Sequence, residues 1–507
     1  MIQLDGSSLT LEDLVAIARG AAAVGLTEPA RARVRAARAL VDDFARRDEP
    51  AYGINTGFGD FAEVRIPADS LGALQVNLLR SHAAGVGEPL PVPAVRATMA
   101  LRANVLAKGF SGIRLETLEL LVEMLNRRVH PVVPSRGSVG ASGDLAPLAH
   151  LALVLIGEGD VSGGEDGAGT EPGAQALGRA GLAPVTLAAK EGLALINGTQ
   201  ASTALLGLAL ADSARLARTA DIAAALSIDG LRGSTRPFDP RIHEARGFPG
   251  QRAAAANLAA LLAGSAINAS HANCGRVQDA YSMRCAPQVH GAAREALGFA
   301  RRVFDTEANA ATDNPMVFAD AREIVSGGNF HGAPVALAAD IVCLALAQIA
   351  TISERRSERL VNPALSGLPA FLTRHGGLES GLMMAQVTAA ALTSELKTLA
   401  HPAGVDSIPT SAGREDHVSM SMAPGLKAAR AAAIARDVVA CELLCACEAI
   451  DLLAPLTSSA PLMRVHDFIR ARVPAVAHDR SVSPDLRRIS DMIVSGEVER
   501  ASGLNVN

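Results

Sequence analysis

Aromatic side chains are scarce: they form 3% of the 507 residues, tryptophan is absent and tyrosine occurs twice. A tyrosine is ordinarily an amphipathic space-filler, so a chain that almost never uses it that way makes Tyr52 and Tyr281 informative. Cysteine is sparse too, with six copies, which does not suggest a disulfide framework in so long a chain. Cys441, Cys445 and Cys447 lie in an Ala-rich helical run and read as small core residues rather than metal ligands. Neither sign of charge dominates, and a formal net charge of −5 gives no basic patch for nucleic acid. The opening Met1-Ile2-Gln3-Leu4-Asp5 lacks the basic-then-apolar layout of a secretion signal. The longest uncharged stretch, Ala253 to Cys274, is interrupted by Asn257, Gly264, Ser265, Asn268, Ser270 and His271, so it reads as buried helix rather than a membrane span. These absences lead to the expectation of a cytoplasmic protein with no membrane or nucleic-acid partner and no metal.

Alanine, leucine and valine supply most of the 49% hydrophobic content, a mixture that favours helix. The N-terminal third mixes short helical patterns with loops. Pro131-Val132-Val133-Pro134 reads as extended, and Gly157 to Gly181 as a surface excursion rich in glycine and acid. Long helical periodicity then takes over in Ala201–Leu226, Val335–Leu360, Ser380–Ala400 and Leu426–Leu453, apolar on nearly all faces. Such helices must be buried on most faces, which predicts a mainly α fold with a long antiparallel helical bundle whose surplus apolar surface is covered by other subunits. The expected division is a mixed helix/loop domain over 1–195 and a helical-bundle and C-terminal region over 196–507.

The chemistry centres on Gly137-Ser138-Val139-Gly140-Ala141-Ser142-Gly143-Asp144-Leu145-Ala146-Pro147. A phosphate cradle is excluded, because neither the Gly-Lys-Ser/Thr ending nor a GxGxxG spacing is present. Ala141-Ser142-Gly143 could instead close on itself. Glycine has no side chain to keep its nitrogen from a nearby carbonyl and tolerates the dihedrals this requires. Attack of the Gly143 nitrogen on the Ala141 carbonyl with loss of that oxygen as water, then loss of a second water from Ser142, would give a methylidene-imidazolone (MIO), an electrophile otherwise reserved for cofactors.

That run, continued by Leu148-Ala149-His150, resembles the signature of the aromatic amino acid ammonia-lyases, and the resemblance extends from about Tyr52 to the C-terminal quarter. It implies an MIO formed autocatalytically with no external cofactor, a homotetramer with shared active sites, and elimination of ammonia from an amino acid. Such an elimination needs an electrophile for the amine, a base for the β-hydrogen, and a cation for the substrate carboxylate. The matching positions are Tyr52 as base, Tyr281 beside the electrophile, Arg284 on the carboxylate with Gln278 supporting, Asn197 as a donor at the electrophile and carboxylate, and Phe330 packed nearby. Arg284 shares a helical face with Tyr281, and its planar fork suits a carboxylate. Asn197 could equally be a helix-ending Asn-Gly, and Asp144 a helix N-cap, an aid to ring closure, or both.

His82 and Glu415 match the branch of that family acting on histidine, since a His/Glu pair offers the donor and acceptor an imidazole requires. The resemblance therefore implies conversion of L-histidine to trans-urocanate, with a lyase or aminomutase for another aromatic or modified amino acid as the alternative. The chain departs from the branch at Gly413-Arg414, where Asn-Gln is usual, and at Ala333, often an acid. Arg414 either pairs with Glu415 or points away. Rival readings are a catalytically dead helical scaffold, a fumarase-type lyase with a serine loop, and a pyridoxal enzyme using Lys190 or Lys397.

Overall fold

Long helices fill the places where the apolar periodicity runs all round. In the computed structural model, which describes residues 1–163, 169–272 and 274–506, they span Gln200–Gly230, Ala333–Val361, Met383–Leu399 and Met422–Leu452. Each lies within a few residues of its expected bounds. The only β structure among the described residues is four two-stranded sheets and isolated bridges, so the fold is mainly α.

Contacts divide the chain into two units. The first comprises Met1–Ala211, Arg301–Asp340 and Pro402–Leu426, and the second Asp212–Ala300, Ile341–His401 and Lys427–Asn507. The N-terminal unit thus extends past residue 195 and takes in two later segments. Sequence periodicity does not register such returns, because both are loop-rich pieces flanking long helices.

The first unit is the mixed one. Its helix Leu71–His82 carries His82 in the last turn. The strand Pro134–Arg136, at the end of the Pro-bounded stretch, pairs antiparallel with Val86–Pro89. The Gly157–Gly181 excursion holds an antiparallel pair, Asp160–Ser162 with Thr170–Pro172, then the helix Gly173–Arg179. Residues 164–168 of that excursion lie outside the described residues.

The second unit contains the bundle. His290 meets Asp221 at 2.6 Å, and Arg294 donates to the Ala217 carbonyl at 3.3 Å. The helices Gln200–Gly230 and Ala286–Glu307 therefore run antiparallel. Gln386 donates to Glu354 at 2.9 Å, joining Met383–Leu399 to Ala333–Val361. Arg356 is wholly buried and held at both oxygens of Glu442, whose Oε1 also accepts from Ser227 at 2.7 Å. Taking these charges out of water is costly, and the paired geometry offsets it. Cys441, Cys445 and Cys447 are all buried, and burial pushes the Cys441 and Cys447 thiols up to about 12, as fits core residues.

Ala253–Cys274 is not one helix. Pro249–Leu262 and Ala266–Ser270 are separate, with Gly264 between them at φ +81°. Among the described residues, one helix is long and apolar enough to cross a bilayer, Ala333–Val361, and 67% of its apolar window is buried inside the protein.

Candidate active site

Two glycines shape the segment that contains Ala141-Ser142-Gly143. Gly140 and Gly143 have φ of +66° and +73°, in the left-handed region, where a side chain is strained. Space is equally decisive. A Cβ on Gly143 would lie 2.2 Å from the Gly198 carbonyl oxygen, and one on Gly140 would lie 2.2 Å from Ser419 Oγ. The segment is clamped on both sides. Asp144 N donates to the Gly198 carbonyl at 2.7 Å, and Met420 N donates to the Val139 carbonyl at 2.7 Å. Ser419 Oγ donates to the Gly140 carbonyl at 2.9 Å. This cradle fits a ring closed from the Gly143 nitrogen onto the Ala141 carbonyl, because position 143 admits no side chain and its neighbours hold the turn in place.

Asp144 occupies the N-cap position of the helix Leu145–Leu155 but makes no side-chain cap bond. Its carboxylate turns elsewhere: Oδ2 accepts from Ser202 N at 2.8 Å and Ser202 Oγ at 2.9 Å, and Oδ1 accepts from Ser138 Oγ at 3.1 Å. Complete burial raises its pKa, against the lowering effect of those bonds. Asp144 thus ties the turn to the start of the helix Gln200–Gly230 rather than capping its own helix.

Asn197 is buried at the C-cap of the short helix Glu191–Ile196, so the helix-ending reading holds locally. Its Nδ2 donates to Asp313 Oδ1 at 3.1 Å and to the Asn314 carbonyl at 2.9 Å. Both partners are acceptors, which fixes the amide orientation. Its Oδ1 is buried and finds no donor among the described residues. The expected donor role meets an obstacle here, since the nitrogen is already engaged and the remaining atom is an acceptor.

Tyr52 is half-buried in a Gly-punctuated loop, edge-on to Phe58 at 6.5 Å. Burial raises its pKa most; a bond from the Gly59 backbone lowers it, Glu415 raises it and Arg414 lowers it. The His82 pKa is lowered by burial, with the Leu78 carbonyl and Glu415 acting the other way. Glu415 therefore acts electrostatically on both Tyr52 and His82, joining three positions far apart in sequence. Its Oε2 accepts from Thr410 Oγ1 at 2.5 Å and Ser411 Oγ at 2.9 Å. The turn that aims it is strained, with Ser411 and Ala412 at φ +51° and +55°.

His82 Nδ1 lies 2.9 Å from the Leu78 carbonyl, which can only accept, so Nδ1 carries the proton. Neutral His82 then offers Nε2 as an acceptor. The Glu415 carboxylate is an acceptor as well. Phe330 is half-buried, while Ala333 and Arg414 are exposed.

Gln278, Tyr281 and Arg284 belong to the second unit. Tyr281–Arg284 is a four-residue helix, and the Arg284 guanidinium sits 4.5 Å from the Tyr281 ring centroid, so the shared helical face holds. Tyr281 is 70% exposed, and Gln278 is exposed as well.

Several residues went unnoticed in the sequence: Ser138, Ser202, Ser419, Asp313 and Arg102. Lys190 was noticed for another chemistry, yet it is fully buried and 3.2 Å from Asp313. A lone lysine within Leu187-Ala188-Ala189-Lys190 was a legible sign of a buried charge in need of a partner.

A profile of the aromatic amino acid lyases matches residues 9–471. A histidine ammonia-lyase of Anaeromyxobacter sp. (strain K) is 59% identical over 502 residues, covering 98% of this chain and 99% of its own. One from Myxococcus xanthus (strain DK1622) is 55% identical, with 98% and 97% covered. Among solved structures, histidine ammonia-lyase from Trypanosoma cruzi superposes with a TM-score of 0.92 at 44% identity, over 99% of this chain and 95% of that one. A tyrosine aminomutase from Streptomyces globisporus superposes at 0.95 with 36% identity, over 100% of both.

Proposed function

The chain belongs to the aromatic amino acid lyase family, and from that premise we propose that it is a carbon–nitrogen lyase converting L-histidine to trans-urocanate and ammonia. The Cα–N bond breaks, a β-proton leaves, and the Cα–Cβ double bond forms. The observation that carries the substrate is the set of full-length relatives named for histidine, and Glu415 lies near enough to act electrostatically on both His82 and Tyr52. Two acceptors, His82 Nε2 and the Glu415 carboxylate, suit the two N–H groups of an imidazolium.

MIO formed from Ala141-Ser142-Gly143, with no external cofactor, would supply the electrophile that makes the amine a leaving group. Tyr52 takes the β-proton, and its burial makes the phenolate a strong base once formed. Arg284 holds the substrate carboxylate with Gln278 beside it, Tyr281 stands by the electrophile, and Asn197 and Phe330 bound the pocket. The assembly we propose is a cytoplasmic homotetramer in which the exposed Gln278–Arg284 segment serves a neighbouring subunit's site. Exposed apolar residues on long helices, among them Leu337, Leu344, Met384 and Val387, are the surface such an assembly covers.

The reading is tested by incubating the protein with a panel of amino acids and following the ultraviolet absorbance of each conjugated acid. L-Histidine should be preferred over phenylalanine and tyrosine. His82→Leu should lower kcat/KM for histidine about tenfold or more, the scale of leaving a buried polar group unpaired, and ease entry of phenylalanine. If another aromatic amino acid is preferred, or a β-amino acid accumulates, the lyase or aminomutase alternative replaces the histidine reading. Arg414 lowers the Tyr52 pKa, so Arg414→Gln should move the rising limb of the kcat/KM pH profile to higher pH. An unmoved limb means that Tyr52 is not the group titrating there.

A further inference from the structure

The geometry points to the buried Lys190–Asp313 ion pair as a positioning device for Asn197, one that holds its amide so that Oδ1 is the atom presented to the site. This rests on the lyase reading above and assigns work to two charges that reading does not use.

Lys190 and Asp313 are 0% and 1% exposed at the side chain, with Nζ 3.2 Å from Oδ2. Burying an ion pair is poor value for stability, since desolvation offsets the attraction. Such a pair is better explained by what it orients. Asp313 uses its other oxygen to accept Nδ2 of Asn197 at 3.1 Å and the Asn314 amide at 2.7 Å. Lys190 holds that carboxylate in place through Oδ2. It does so from the N-cap of the same short helix that Asn197 closes, in a left-handed conformation at φ +67°.

The backbone of Asn197 is gripped separately. Arg102, wholly buried, donates through Nη1 to the Asn197 carbonyl at 2.8 Å and to Gln200 Oε1 at 2.6 Å. Gln200 in turn donates to Thr312 Oγ1 at 2.8 Å. The carbonyl and the amide nitrogen of Asn197 are therefore held from opposite ends of the same network, next to the Gly198 that clamps Gly143. A buried acceptor left unpaired is destabilising in the free protein, and Asn197 Oδ1 is in that state. The arrangement is explained if the missing donor arrives with the ligand. The substrate α-ammonium has the required N–H groups, and its carboxylate has none.

Exchanging the two functional groups tests this. Asp313→Asn and Asn197→Asp should each lower kcat/KM at least about 30-fold, with intact mass still about two water molecules short and thermal unfolding close to wild type. The double exchange Asn197→Asp with Asp313→Asn reverses donor and acceptor and restores the bond between the two side chains, while the bond to the Asn314 carbonyl stays lost. It should recover at least tenfold over the better single variant. Penalties that simply multiply in the double variant, with folding and mass intact, overturn the proposal. If the double variant fails to fold, Lys190→Met serves as the second probe. It should lower kcat/KM for the amino acid and leave the mass deficit unchanged, and unaltered kinetics in a folded Lys190→Met protein overturn the proposal. All variants are assayed on whichever amino acid the wild-type chain deaminates, so failure of histidine and failure of the pair appear in different measurements. No lyase activity on any amino acid overturns both.

Discussion

Intact-mass analysis should find the purified chain about two water molecules lighter than its translated sequence, one from ring closure and one from Ser142. Ser142→Ala should retain at most the deficit of ring closure, fold normally and lose lyase activity by at least about 10³-fold, the scale on which loss of a covalent catalytic group acts. The structural ground is the cradle. Gly143 has φ +73°, and a Cβ there would strike the Gly198 carbonyl at 2.2 Å, so the position is reserved for glycine by shape alone. Asp144, bonded to Ser202 and Ser138, fixes the turn from the other side. A measured mass equal to that of the unmodified chain would falsify the electrophile, and with it the elimination chemistry.

The second large effect concerns how sites are completed. Tyr52→Phe should reduce activity by roughly 10²–10⁴-fold, the range for a general base, and Arg284→Ala should also lower it sharply by removing the cation that holds the substrate carboxylate. The two residues lie in different units of the chain, and Tyr281, whose ring lies against Arg284, is 70% exposed. If the Gln278–Arg284 segment serves a neighbour, a tetramer mixing the two inactive chains contains some sites with both Tyr52 and Arg284 intact. Co-expressed hybrids should then regain clear activity. Hybrids shown to form by native mass spectrometry, yet as inactive as either parent, would mean that each site is built from one chain.

What the sequence determined by itself was whatever depends on local pattern. All-round apolar periodicity set the four long helices to within a few residues. The Gly-rich run around Ala141-Ser142-Gly143 was legible because shape-critical glycines leave a string of letters. The scarcity of tyrosine singled out Tyr52 and Tyr281. Tertiary structure decided the roles that depend on what meets a side chain in space. Asp144, read as an N-cap, an aid to ring closure or both, sits at the N-cap position but turns its side chain to Ser202. His82 has its Nδ1 on the Leu78 carbonyl, a partner one helical turn away that orients the ring. Lys190, a candidate for pyridoxal chemistry in a rival reading, is closed in on Asp313, more than a hundred residues away. The physical reason is the same in each case. A helix or a tight turn is fixed by neighbours within a few residues, whereas the protonation, orientation and partner of a buried polar group are fixed by atoms that only folding brings within about 3 Å.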